Sequence, residues 1–287
     1  MAKKTKKVLD AQRLADRLAV REGFELAGVD PGSSPGFDGG KADGEAALAA
    51  GVPRLGELQE RLWAQSRAGD PRSILLVVQG MDTSGKGGIM RHVVGAADPQ
   101  GVRHTAFKAP TAEEREHDFL WRIRKALPQP GEIGVFDRSH YEDVLVVRVH
   151  DLVPRAVWSR RYATINRFEA GVVKAGTTIV KVMLHVSRDE QKVRLAERLA
   201  SPEKYWKYNP RDVDERARWD DYQEAYQVAL TRCSPAGAPW HVVPADKKWY
   251  ARWAVQQLLI DALEDIDPHW PAATFDVDAE KLRLAAT

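Results

Sequence analysis

The chain has a single cysteine, Cys233, among 287 residues. That excludes an intramolecular disulfide and any cysteine-rich metal site; the thiol reads as a small half-buried hydrophobe. No apolar run approaches the roughly 20 residues that a membrane-spanning helix needs. The basic start, MAKKTKK, is followed by no apolar stretch, so it reads as a solvated tail rather than a secretory signal. A surplus of charge is missing too: 43 basic and 41 acidic residues give a formal net charge of +2. A site for a polyanion must therefore come from local clustering. These absences predict a cytoplasmic protein without membrane contacts. What is present, 29% charged and 44% hydrophobic residues, is ordinary for a globular chain.

Residues 1 to 50 read as a partly irregular N-terminal arm. It has room for a short helix over Val8 to Val20, then the Gly-, Pro- and Ser-dense stretch VDPGSSPGFDGGKADG. Residues 51 to 287 read as one domain. Leu55, Leu58 and Leu62 lie at i, i+3, i+7 and begin a helix. Strands are expected at ILLVVQ (74–79), VRHTAF (102–107), EIGVFD (132–137), TIVKVMLHV (178–186) and WHVV (240–243). Between them come helices over Gly85 to Ala97, from a Thr111–Glu114 capping box through Leu127, from Pro154 to Lys174, from a Ser187–Glu190 box to Leu199, and from an Asp212–Glu215 box to Leu230. A last helix runs from Lys247 to Leu263. Such alternation predicts an α/β fold: a five-stranded parallel sheet with helices on both faces.

The stretch GMDTSGKGG (80–88) follows the first strand and opens a helix, where backbone N–H groups gather round an anion. It fits G-x-x-x-x-G-K through Gly80, Gly85 and Lys86. Then Gly87, followed by Gly88, replaces the usual Ser or Thr that ligates Mg²⁺. Two carboxylates can stand in for that hydroxyl. Asp82 lies within the loop, and Asp137 ends the third strand at the carboxyl edge where ligands sit in parallel sheets. Mg²⁺ takes one or two carboxylates plus substrate oxygens. Asp82 and Asp137 are thus the expected metal pair, with Mn²⁺ as an alternative cation. Lys86 and Arg138 are the expected clamps on a transferring phosphoryl group.

Four segments, GMDTSGKGG, FKAPTAEEREHDFLWR (107–122), FDRSHYEDVLVVRVH (136–150) and LASPEKYWKYNPRD (199–212), together resemble the polyphosphate kinase 2 family, in order and over roughly Asp30 to Leu263. SHYEDVLVVRVH is most similar to the branch that accepts both AMP and ADP. The resemblance implies a P-loop kinase-like (thymidylate kinase-like) three-layer sandwich with a helical lid. It also implies direct, Mg²⁺-dependent, in-line transfer of a terminal phosphoryl group between inorganic polyphosphate and AMP or ADP, giving ADP or ATP, and a homo-oligomer, dimer or tetramer. Asp82 and Asp137 again hold the metal by this resemblance.

Polyphosphate offers charge and no base, so its site should be a basic track. The candidates are Arg194 and Arg198, which share a helix face at i, i+4, with Lys204, Lys207 and Arg211 beyond. All lie in a lid spanning about 188 to 212. Lys108, Glu114, Asp118 and Arg122 match the family's acceptor region, and Tyr141 joins them as a nucleotide contact. Two rival readings stand: a nucleoside monophosphate kinase of similar fold with ATP as donor, and a non-catalytic nucleic-acid binder. Two carboxylates flanking the anion site oppose the second, so no nucleic-acid partner is expected.

Overall fold

The structure, a computed structural model, describes residues 13–287. The MAKKTKK tail and the first part of the helix expected from Val8 lie outside the described residues.

Period-2 burial builds the centre. The first strand, β1 (Ser73–Gln79), is buried at every position. Ile74, Leu76 and Val78 enter one apolar core, whereas Leu75 and Val77 enter the other. Only a strand covered on both faces tolerates such a continuous apolar run. Beside it lie β2 (Val102–Ala106), β3 (Ile133–Asp137), β4 (Thr177–His185) and β5 (Trp240–Pro244). All pairings are parallel, in the order β2-β3-β1-β4-β5. The chain leaves β1 toward one edge, returns to β3, then crosses to β4 on the far side. That reversal places a crevice between the carboxyl ends of β1 and β3, where Val78 pairs with Asp137.

One face is covered by α1 (Leu14–Leu18), α2 (Lys41–Arg67), α3 (Lys86–His92) and, from the far end of the chain, Lys248–Ile266. Helices α4 (Ala112–Arg115), α8 (Arg188–Leu199) and α9 (Arg211–Ala217) supply no residue to either apolar core. The other face is covered by α5 (Trp121–Ala126), α6 (Val146–Val149), α7 (Arg155–Lys174) and α10 (Trp219–Arg232). Of these, α5, α7 and α10 supply the core residues Ile123, Ile165, Ala225 and Ala229. The Lys248–Ile266 helix is α11, and α12 (Val277–Ala285) ends the chain. Among the described residues no helix is long and apolar enough to cross a membrane.

Several helices differ from expectation. Helix α2 starts at Lys41, so it crosses position 50 and the arm ends inside no linker. Two of its glycines allow close approach: a Cβ on Gly44 would stand 2.0 Å from the Trp249 ring, and one on Gly51 2.3 Å from Gln256. The arm is stitched on as well. Ala19 bridges His241 antiparallel at the edge of β5, and the Pro31 carbonyl accepts from Asp246 N at 3.1 Å. Helix α3 stops at His92, followed by a tight turn over Val94–Ala96, as befits a segment with Gly85, Gly87, Gly88 and Gly95. The helix expected over 111–127 is split, because Asp118 accepts from Leu120 N at 3.0 Å and turns the chain between α4 and α5. Asp212 is not an N-cap. It sits within α9 after Pro210, and its carboxylate pairs with Arg198 at 3.1 Å.

Candidate active site

The glycine loop is shaped by positions that no side chain could fill. Gly80 has φ +154°, and a Cβ there would lie 2.8 Å from the Leu184 carbonyl. Gly85, the N-cap of α3, has φ +115°. Both conformations belong to glycine. Thr83 is left-handed at φ +63° despite its branched side chain, a strained geometry that surroundings must hold. Gly87 differs: a Cβ there would meet nothing within 4 Å. The missing hydroxyl is therefore not forced by sterics.

Lys86 is buried and curls back over the loop, donating to the Gly80 carbonyl at 2.7 Å and the Met81 carbonyl at 3.3 Å. Burial first, and then the Arg138 charge, pull its pKa below the ordinary lysine value, while Asp82, Asp137 and Glu142 pull the other way. Arg138 donates to Asp82 Oδ1 at 2.6 Å and to Glu142 at 3.3 Å. Glu142 foremost keeps its guanidinium firmly protonated. Arg138 thus sets a positive charge directly against the loop carboxylate.

The residues suit a divalent cation nonetheless. Asp137 Oδ1 is buried without a hydrogen-bond partner among the protein groups, and Asp82 bonds Arg138 through Oδ1 alone. Among the described residues, no three His, Cys, Asp or Glu side chains gather into a cage. Two carboxylates with spare lone pairs and no cage match Mg²⁺, which completes its shell with water and substrate phosphate.

Arg194 is not a solvent-facing lid residue. It is 4% exposed, and its guanidinium donates to the carbonyls of Thr83 (2.9 Å), Ser84 (3.0 Å), Ala245 (2.6 Å) and Asp246 (3.0 Å), while Nε bonds Glu190 at 2.7 Å. It braces the strained Thr83 from behind the loop. The i, i+4 spacing correctly pairs it with Arg198 but does not say which side faces solvent. Arg198 is partly exposed and donates to the Lys207 carbonyl at 2.8 Å and to Asp212. Lys204, Lys207 and Arg211 have no ion-pair partner among the described residues; Lys207 Nζ stands 4.8 Å from the Trp206 ring. Of the basic residues expected on the track, Arg198 and Lys204 are partly exposed and Lys207 and Arg211 are exposed. Burial and then the Asp82 charge raise the Asp212 pKa, so this segment ends close to the loop.

Tyr141 is also elsewhere. It is fully buried, with its hydroxyl 2.8 Å from Glu169, out of reach of a nucleotide. Lys108 is exposed, one residue after Phe107, whose N–H donates to the Asp137 carbonyl at 3.0 Å. Arg122 donates to the Lys108 carbonyl at 2.8 Å and meets Glu114 at 3.4 Å. Glu114 also closes the capping box on Thr111 N at 2.8 Å. Asp118 turns to Arg124 at 2.9 Å and leaves the group. Sequence reasoning missed Glu142, Gln191 and Tyr226, which with Gly80, Asp82 and Arg138 line a small polar cleft. Gln191 donates to the Asp82 carbonyl at 2.9 Å. Glu142 was legible in principle, since it lies at i+4 from Arg138.

A family model described as Polyphosphate kinase 2 (PPK2) matches residues 40–271. The chain belongs to the polyphosphate kinase 2 family. The AMP/ADP-polyphosphate phosphotransferase of Meiothermus ruber is 46% identical over 86% of this chain and 91% of its own length. The ADP-polyphosphate phosphotransferase of Rhodopseudomonas palustris is 43% identical over 78% of this chain and 80% of its own. Polyphosphate Kinase 2 from Arthrobacter aurescens, a solved structure, superposes with a TM-score of 0.95 at 59% identity, over 96% of this chain and 98% of that one. Family membership accounts for the α/β fold.

Proposed function

We propose that the protein moves a terminal phosphoryl group between inorganic polyphosphate and AMP or ADP by direct in-line transfer. A phosphate oxygen of the nucleotide forms the new P–O bond as the terminal phosphoanhydride bond of polyphosphate breaks. The shortened chain keeps the bonding electrons. The observation that carries this reading is the convergence of Lys86, Asp82, Asp137 and Arg138 at the carboxyl ends of β1 and β3. The names of the Meiothermus and Rhodopseudomonas relatives support the donor and both acceptors.

Each side chain then has a task. The loop amides and Lys86 receive the phosphate oxygens, and Arg138 meets the charge that builds up on the transferring group. Asp82 orients Arg138 through their 2.6 Å bond. Asp82 and Asp137 would hold Mg²⁺, or Mn²⁺ in its place, which when bound neutralises phosphate charge. Arg198, Lys204, Lys207 and Arg211 form a track for the polyphosphate chain on a lid over about 188 to 212, whose closure excludes water. Lys108, Glu114 and Arg122 border the acceptor. The catalytic unit starts with α2, and the arm before it braces the edge of the sheet. We place the enzyme in the cytoplasm, as a homo-oligomer without nucleic acid. The test is a donor comparison with AMP and ADP as acceptors, followed by nucleotide chromatography. Product from polyphosphate supports the reading; product from ATP alone would make the protein an ordinary nucleotide kinase.

A further inference from the structure

A buried charged cluster lies beneath the loop that carries Arg138, and the reaction above makes no use of it. Lys181, mid-strand in β4, is fully buried. Its ammonium donates to Glu169 Oε2 at 2.5 Å, the Cys233 carbonyl at 2.7 Å and the Tyr141 hydroxyl at 3.0 Å. Glu169, on α7, is 1% exposed. Its Oε1 accepts from the Tyr141 hydroxyl at 2.8 Å and faces His140 Nε2 at 3.1 Å. Every ammonium hydrogen and both carboxylate oxygens are engaged. An apolar pair of the same volume would avoid the desolvation cost, so stability alone does not account for the cluster.

What the cluster grips is informative. His140 and Tyr141 follow Arg138 closely, and Arg138 is left-handed at φ +64°. A non-glycine residue persists there only when its flanks are fixed. Upstream, Arg138 N donates to the Val78 carbonyl at 3.1 Å and Phe107 N donates to the Asp137 carbonyl at 3.0 Å. Downstream, Ser139 Oγ accepts from Gln79 Nε2 at 3.1 Å, and the next anchors are the two contacts to Glu169.

We propose that the Glu169–Lys181 pair is a positioning device: through His140 and Tyr141 it holds the Arg138 backbone so that the guanidinium stays on Asp82 and aims at the transferring phosphoryl group. This rests on the role given to Arg138 above. Glu169 and Lys181 touch no substrate, and they act through the loop.

The test is a double-mutant cycle on polyphosphate-dependent ADP phosphorylation. It compares the wild type, the Glu169→Gln/Lys181→Met variant, Arg138→Ala, and their combination. The paired variant removes both charges together, so neither is left alone in the core. It should lower kcat by about 10²-fold, as a misplaced group does, with KM for ADP nearly unchanged. That loss should vanish in the Arg138→Ala background, because the two sites act as one unit. Tyr141→Phe removes a hydroxyl and no charge. It should show a smaller kcat loss that cancels in the same way, and it decides the matter should the paired variant not fold. Equal losses in both backgrounds, or an unchanged kcat in folded variants, would overturn the proposal. If the wild type used ATP and not polyphosphate, the function above would fall, while the same cycle run with ATP would still decide the positioning.

Discussion

Arg194 and Arg198 are one turn apart on α8, yet their surroundings assign them opposite work. Arg194 is enclosed by four carbonyls and Glu190. Removing it strands several buried acceptors beside a loop already strained at Thr83. Arg194→Ala is expected to cost on the order of 3 kcal/mol of stability, read as a lower urea midpoint. A midpoint equal to wild type would contradict the bracing role. Arg198 is partly open to solvent and shares its charge with Asp212. Arg198→Ala should lower the midpoint less than Arg194→Ala does, and should raise KM for polyphosphate more than it lowers kcat, the mark of lost uniform binding.

At the scale of elements, two predictions follow from packing. Alanine normally stabilises a helix interior relative to glycine. In α2 the reverse should hold, because a Cβ on Gly44 would stand 2.0 Å from Trp249 on α11. Gly44→Ala should lower stability by about 1–3 kcal/mol through overpacking, and a raised Tm would refute it. The edge strand β5 carries the second prediction. Burial pushes the His241 pKa from 6.5 down to about 4, against the opposing pull of its bond to the Lys181 carbonyl. The unfolded chain therefore binds more protons than the folded one between these values. The stabilisation is complete above pH 6.5 and lost as pH falls toward 4, amounting to about 3 kcal/mol. His241→Gln should flatten that part of the stability–pH curve; an unaltered slope would exclude His241 as the source.

For the whole molecule, the parallel sheet and its carboxyl-edge site were legible because their signals are local. The five expected segments match the strands within a residue at each end, for example 74–79 against Ser73–Gln79. The glycine loop and Asp137 are fixed by strand ends. Tertiary choices were not legible. Nothing in RDEQKVRLAERL tells which face of α8 meets the loop, so Arg194 looked like a lid residue. Asp212 had the spacing of a cap, but Arg198 took its carboxylate. Tyr141 stood in a motif beside Arg138 and turned inward to Glu169, a partner from a distant helix. Chelation by EDTA should abolish transfer and added Mg²⁺ should restore it. Asp137→Asn should raise the Mg²⁺ needed for half-maximal rate by roughly 10-fold or more; an unchanged requirement would remove Asp137 from the metal site. The most direct test of the central claim is the rate of ATP formation from ADP and polyphosphate by wild type and by Lys86→Ala, with melting curves alongside. The account predicts product from the wild type and a loss of about 10²- to 10³-fold in a variant that still folds. Undiminished turnover by folded Lys86→Ala would contradict it.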